Sequence, residues 1–307
     1  MDSKQNWVTC RQTWQSLCDH IYDGPNWDDI PEGGVVWCCL DNIATFFKRI
    51  QGTGRRYIVV SSYSDYGLCL QAENPPYKDL VRYADLLTEV HGPKIGYDGI
   101  TLQSRCHQDN CNISDKYSIK CYAITHATFP CIPDEVAHWF CTNCEINDDR
   151  VTPIPFGLAE NIDYSLLVPS DQPKQAKVYV NFQSHTIERI RLKNFFQSLS
   201  NIATVVDKAM PFEQYIADLQ SHMYVLCPVG NGLDCYRTVE AIACGAIPIV
   251  PNCMPYTILN LPVLYYRDYR EILDFVTDLG CPIIRGSVAA TVEYWREKLA
   301  KMRKKFL

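Results

Sequence analysis

Between residues 225 and 250 the chain reads VLCPVGNGLDCYRTVEAIACGAIPIV, and these residue types could hold a phosphate. An apolar run ends at Pro228, and a glycine turn follows, Val229-Gly230-Asn231-Gly232. A helical pattern then starts near Leu233 or Asp234 and continues to Cys244, with Gly245 as its C-cap before the next apolar run. A strand, a glycine turn and a helix N-terminus aim backbone N–H groups and the helix dipole at one point. Glycine lets a bulky diphosphate come close to the backbone. Arg237, in the first turn of the expected helix, could grip phosphate with two parallel hydrogen bonds. Glu240 lies three residues on, on the same face, where a carboxylate could accept both hydroxyls of a ribose. Together these describe a nucleotide-diphosphate site. The same spacing also fits a plain strand-to-helix turn capped by Asp234, with Arg237 and Glu240 as a surface pair. It is neither a Gly-Lys-Ser/Thr phosphate loop nor a G-x-G-x-x-G dinucleotide turn.

Elements must hold that turn in place. Short β-branched apolar runs occur at 35–40, 56–61, 118–124, 178–182, 201–206, 222–228 and 246–250. Stretches of helical period lie between several of them, at 42–51, 77–90, 187–199, 212–221 and 235–244. Strand alternating with helix predicts an α/β fold with parallel sheets, whose ligands collect at the carboxyl ends of strands. Residues 176–285 read as one Rossmann-like domain and residues 1–162 as a second, less regular one. A proline-rich linker at 163–175 joins them. The final helical stretch, 286–307, ends in a basic run and is free to pack back on the first domain.

The chain has 307 residues, enough for two domains, and 47% of them are hydrophobic. A net charge of −6 gives no global attraction to nucleic acid or anionic membranes, so an anionic ligand must meet local cations. The first thirty residues lack a signal-peptide pattern, and no apolar stretch spans a bilayer. The expected compartment is therefore cytoplasmic, with most of the 16 cysteines as free thiols. Cys141 and Cys144 have the spacing of half a zinc site, with Cys106, Cys111, Cys121 and Cys131 nearby, but a second close pair is missing.

The 225–250 stretch resembles the signature of exostosin-like glycosyltransferases, closest in look to those of algal large DNA viruses of chlorovirus type. In that family a strand, a P-x-G-N-G-x-D turn, an R-T-x-E helix and a G-x-I-P-I strand follow in this order. TPIPFGLAEN (152–161), VYVNFQSHTIERIR (178–191) and LPVLYYRDY (261–269) resemble its flanking segments. The resemblance is good from about residue 139 to 269 and thin before that. It implies a GT-B fold, two Rossmann-like domains facing each other across a cleft. It implies that Gly230, Asn231 and Gly232 cradle the donor diphosphate, that Arg237 neutralises it, and that Glu240 holds the ribose. Ser184, His185 and Arg191 would face the same phosphates, with Arg191 favoured over Arg189. Asp207 and Phe212 would border the nucleobase, and Asp234 would stand near the donor.

The implied reaction moves a sugar from a nucleotide diphosphate, UDP-xylose or another UDP-linked pentose or hexose, to a hydroxyl of an oligosaccharide or glycoprotein glycan. Cations and aligned N–H groups would stabilise the leaving diphosphate. No Asp-x-Asp stands at a strand end, and Asp28-Asp29 and Asp148-Asp149 read as loop pairs, so neither metal nor cofactor is expected. An inverting enzyme needs a base facing the cleft. Asp65, in the loop after the run at 56–61, is the first choice, with Asp23, Asp98, His126 and His138 as rivals and Asp41 as a helix cap. Trp7, Trp14, Tyr22, Trp27, Tyr63 and Tyr66 sit in polar surroundings and are candidates for stacking on an acceptor sugar. A nucleotide-sugar epimerase or hydrolase, or a silent sugar-nucleotide-binding module, remains the alternative.

Overall fold

The computed structural model describes residues 7–23, 32–63, 67–70, 101–105, 124–129, 132–144, 146–184, 187–230, 232–278 and 288–307. In the first half, α1 (Gln12–Ser16), β1 (His20–Tyr22) and β2 (Gly34–Cys39) are followed by α2 (Ile43–Ile50) and β3 (Tyr57–Ser62). After them come β4 (Gly67–Leu70), β5 (Thr101–Arg105), β6 (Ile124–Phe129), β7 (Val136–Cys141) and β8 (Val151–Pro153). Strands β1-β2-β3-β7-β8 form one sheet in that order, with every pair parallel. All six residues of β3 are buried, as a central parallel strand covered on both faces requires. Its two serines are satisfied there: the Trp37 indole N–H donates to Ser62 Oγ at 2.9 Å, and that of Trp139 to Ser61 Oγ at 2.6 Å. Helix α2 buries Ile43, Phe46, Phe47 and Ile50, the i, i+3, i+4, i+7 stripe of an amphipathic helix. A small mixed sheet, β4-β6-β5, stands apart from this plan.

The second half alternates strictly. It runs β9 (Gln175–Val180), α3 (Ile187–Gln197), β10 (Ala203–Val205), α4 (Phe212–Ser221), β11 (His222–Leu226), α5 (Tyr236–Ala243), β12 (Ile247–Pro251), α6 (Met254–Leu259), β13 (Leu264–Tyr266) and α7 (Glu271–Asp278). Its five strands form a wholly parallel sheet in the order β10-β9-β11-β12-β13. The order reverses between β9 and β11. In open α/β sheets a ligand crevice opens at such a reversal, outside the carboxyl ends of the two strands. The 225–250 turn is the continuation of one of them.

Among the described residues, three apolar clusters form the core. One lines the face of the first sheet under α2, and another lies against α3 and α7 on the second sheet. The third is continuous through both halves, from Trp14, Trp37 and Val60 to Tyr179, Val225 and Val239. Helix α8 (Val292–Phe306) belongs to this third cluster. Its Trp295 is fully buried, edge-on to Trp14 at 5.4 Å and to Phe140 at 6.0 Å. Its Arg303 bonds Asp19 at 2.9 Å, so a helix that follows the second half in sequence is fastened to the first.

The sequence pattern did not predict α1, β1, β4, β5, β7, β8, β13, α6 or α7, nor β6 beyond Ile124. In β7, His138 interrupts an otherwise apolar run, yet all six of its residues are buried. The expected helix at 77–90 and all but the last residue of the strand at 118–124 lie outside the described residues.

Candidate functional site

The site is built where β9 and β11 end. Phe182, two residues past β9, is buried, and three cations gather around its ring. Arg189 stands 5.5 Å from the ring centroid, Lys193 5.7 Å and Arg237 5.9 Å. Arg189, Leu192, Lys193 and Phe196 form the buried stripe of α3, so two of the four positions facing the sheet are basic. Arg189 reaches across to the glycine turn. Its Nε donates to the Val229 carbonyl at 2.9 Å, and its Nη atoms donate to the Pro228 and Gln183 carbonyls at 3.4 Å. A Cβ on Gly230 would lie 2.6 Å from Arg189 Nη2, so any side chain there would push the guanidinium aside.

Gly232 has a different reason. A Cβ there would lie 2.5 Å from Nδ2 of Asn143, a buried residue from the turn between β7 and β8. Asn143 Oδ1 accepts the Asp234 N–H at 2.9 Å. Asp234 accepts from the Phe156 N–H at 2.8 Å, the Cys235 N–H at 2.7 Å and the Tyr256 hydroxyl at 2.7 Å. Burial pushes its carboxyl up to about 6. Asp234 is therefore a buried hub that fastens the turn to the first half, not an exposed cap.

Helix α5 begins at Tyr236, two residues later than the pattern suggests, with Cys235 as N-cap. Part of the turn's backbone is already engaged, because the Gly230 N–H donates to the Gly232 carbonyl at 3.0 Å. Arg237 is the open contact. Its Nε–H is buried and has no hydrogen-bond partner among the described residues. Buried polar groups are nearly always paired, so an orphaned guanidinium N–H beside two further cations marks a place for an anion. Glu240 is buried rather than on the surface, and burial pushes its carboxyl up. Its Oε2 accepts the Tyr215 hydroxyl from α4 at 2.6 Å.

The loop after β10 is stitched to the end of β9 through Met210, whose Sδ lies 3.5 Å from the Tyr179 hydroxyl and 3.6 Å from Asn181 Nδ2. Asn181 Nδ2 donates to the Tyr179 hydroxyl at 2.8 Å, and that hydroxyl donates to Asp218 at 2.9 Å. Asp207 pairs with Lys193 at 3.3 Å and accepts from Gln197 at 2.7 Å. The Phe212 ring lies 6.0 Å from that of Tyr215. Ser184 and Arg191 are exposed, so Arg189 rather than Arg191 reaches the turn. His185 and Asn231 lie outside the described residues.

In the first half, Asp65 and Asp98 also lie outside the described residues. Asp23 pairs with Arg11. His138 is buried, bonded to Thr152 Oγ1 at 2.9 Å and stacked 6.1 Å from Phe306, and burial pulls its imidazole down to about 4. That contact set belongs to the core and leaves no face for an acceptor. Of the aromatics read as candidates for stacking on an acceptor sugar, Trp14 and Tyr22 are fully buried, Trp7 is half-buried and Tyr63 is exposed, while Trp27 and Tyr66 lie outside the described residues. Tyr63 has φ 66 and lies under the Arg11 guanidinium at 5.0 Å. Cys141 and Cys144 are both buried in the core of the first half. Among the described residues no three His, Cys, Asp or Glu side chains are grouped to hold a metal, and no helix is long and apolar enough to cross a membrane.

Comparison with known families bears on this same region. Residues 179–277 match the family model of the RXYLT1 C-terminal domain. The match supports a glycosyltransferase. RXYLT1 denotes xyloside xylosyltransferase 1, of an exostosin-like family. The match covers about a third of the chain, and it runs from the last two residues of β9 through all but the last residue of α7, with Phe182, Arg189, Lys193, the glycine turn, Arg237 and Glu240 all inside it. No curated protein matches the chain. Arg189, Lys193 and Phe182 were the residues that motif reading undervalued. The available signal was the pair of basic residues on the buried stripe of α3.

Proposed function

We propose that the chain transfers a sugar from a nucleotide diphosphate to a glycan hydroxyl, and that the β9/β11 strand ends bind the donor. The observation that carries this is the orphaned Nε–H of Arg237, buried beside Arg189 and Lys193 around one ring. Asp207 already pairs with Lys193, the guanidiniums of Arg189 and Arg237 add positive charge beside that pair, and a diphosphate leaving group gains negative charge as the glycosidic bond breaks. The cluster would therefore act most strongly in the transition state, without a divalent metal. Glu240 would receive the ribose hydroxyls, with Tyr215 orienting the carboxylate. UDP is the preferred nucleotide. Asp65 is the proposed base, in a GT-B arrangement with inversion at the anomeric carbon.

UDP should raise the melting temperature of the chain, because a ligand that binds only the folded state stabilises it in proportion to the logarithm of its concentration. Arg237→Ala should weaken UDP binding by about 10- to 100-fold, the cost of one charge-assisted pair of hydrogen bonds. Asp65→Asn should abolish transfer while UDP still binds. Transfer that survives in Asp65→Asn removes the base assignment, and transfer lost to EDTA removes the metal-free mechanism. A UDP-binding curve unchanged by Arg237→Ala removes the donor site itself.

A further inference from the structure

At the first sheet, one arginine side chain reaches residues of three adjacent strands. Asp23 directly follows β1, Trp37 lies in β2, and Tyr63 directly follows β3. The Arg11 guanidinium pairs with Asp23 and stands 5.5 Å from the Trp37 ring centroid and 5.0 Å from that of Tyr63. The backbone of Arg11 is anchored separately, its N–H donating to Glu160 Oε1 at 2.9 Å. Tyr63 is unusual in two ways. Among the described residues, the other non-glycine residues of positive φ are Asn143, Asn161 and Asn260, a type that tolerates this region, whereas Tyr63 carries a bulky ring at φ 66. It is also the only aromatic side chain among the exposed large hydrophobics of the described residues, at 44% exposure. Backbone strain of this kind clusters at ligand clamps, and ligands of parallel sheets collect at the carboxyl ends of strands.

We propose that Tyr63, Arg11 and Asp23 form the acceptor subsite, and that it takes an uncharged sugar ring. The acceptor role rests on the transferase reading of the β9/β11 strand ends. The C–H face of a pyranose is apolar and packs on a tyrosine ring, while its hydroxyls both donate and accept. Asp23 accepts from them and Arg11 donates to them, so one half-exposed ion pair serves two neighbouring hydroxyls. Arg11 brings one positive charge, and Asp23 and Glu160 bring two negative ones, which disfavours a carboxylate or phosphate on the acceptor. The subsite also adjoins the donor side. Cys10, beside Arg11, accepts the Tyr236 hydroxyl at 3.8 Å, and Tyr236 immediately precedes Arg237. Asp65, the proposed base, follows Tyr63 by two residues in the chain.

The test uses the full chain, with and without UDP, and reads sugar binding by saturation-transfer NMR. The probes are the methyl glycosides of xylose, galactose, glucose and glucuronic acid at about 10 mM, a concentration suited to millimolar binding. At least one neutral glycoside should show saturation transfer. Tyr63→Gly, which suits φ 66, should cut that signal at least about fivefold without lowering the melting temperature. Arg11→Gln should cut it likewise, since the backbone anchor on Glu160 survives the change. Tyr63→Phe, which keeps the ring, should restore it. A purely structural Tyr63 gives the reverse in Tyr63→Gly, a lower melting temperature with the signal kept. That result overturns the proposal, as does the absence of any signal from wild type, or a stronger signal from the glucuronide than from every neutral glycoside. Glycoside binding in a protein that gives no melting-temperature shift with UDP upholds the sugar subsite and removes the donor site. A UDP shift without glycoside binding does the opposite.

Discussion

Two arginines two residues apart cannot both face the sheet on a helix. Arg189 takes the inward position and Arg191 the outward one. Arg189→Ala leaves the Val229 and Pro228 carbonyls without their donor and should cost about 1–3 kcal/mol in urea unfolding. Arg191→Ala should stay within about 0.5 kcal/mol, the range of surface changes. Equal losses would contradict the assignment. Two buried titrating groups oppose each other in acid. Asp234 is raised from 3.8 to about 6, so the fold holds its proton longer; its contribution is full below 3.8 and is lost as pH rises to 6. His138 is lowered from 6.5 to about 4, so its contribution is full above 6.5 and is lost as pH falls through 4. His138→Gln keeps a partner for Thr152 but cannot titrate. Its stability should therefore fall, relative to wild type, on the order of 2 kcal/mol between pH 4 and pH 6. Parallel stability curves for the two proteins would rule this out.

At the scale of elements, the glycine turn was legible and its fastening was not. Glycine requirements are local, so the string 229–232 stood out among neighbouring residues. The reasons for them are remote. Asn143 is 91 positions from Asp234, and Phe156 is 78 positions away, distances over which no periodicity carries information. The alternating second half was readable because each strand and helix repeats one pattern. β7 was missed because one buried histidine looks polar in sequence, whereas Thr152 satisfies it in the fold. The acceptor side resisted reading for a different reason: Trp14 lies between Thr13 and Gln15 and Tyr22 is followed by Asp23, while α8 and α2 cover the two rings in space. Gly232→Ala should destabilise the turn, since its Cβ meets Asn143 at 2.5 Å. Asn143→Gly should restore part of the loss, because it opens that space and removes a side chain from φ 51. A double variant no more stable than Gly232→Ala alone would mean that Asn143 is not the obstacle.

For the whole molecule, the shared apolar cluster sets the cooperativity. Two domains joined only by a linker unfold as two units, whereas one core running through both halves ties them together. Calorimetry should show a single transition, and removal of Trp295 should lower it as a whole. Trp295→Ala opens a large cavity between Trp14 and Phe140 and should cost about 3–5 kcal/mol. Two resolved transitions, with only one moved by Trp295→Ala, would show the halves to be independent.

The segment at residues 7–10 also constrains when this fold can form. Val8 donates to the Ala290 carbonyl and accepts from the Leu158 N–H, and Cys10 donates back to Leu158. Gly157, at φ 86, leaves only enough room for that segment to pass, since a Cβ would lie 2.8 Å from the Val8 carbonyl. This segment, held by isolated bridges, thus waits for partners that follow it by about 150 and 280 residues. On a ribosome the first half would stay unfinished until residue 290 emerges, exposed to chaperones throughout. A circular permutant that opens elsewhere and joins the present ends should shorten that wait, and should fold faster without changing the finished structure.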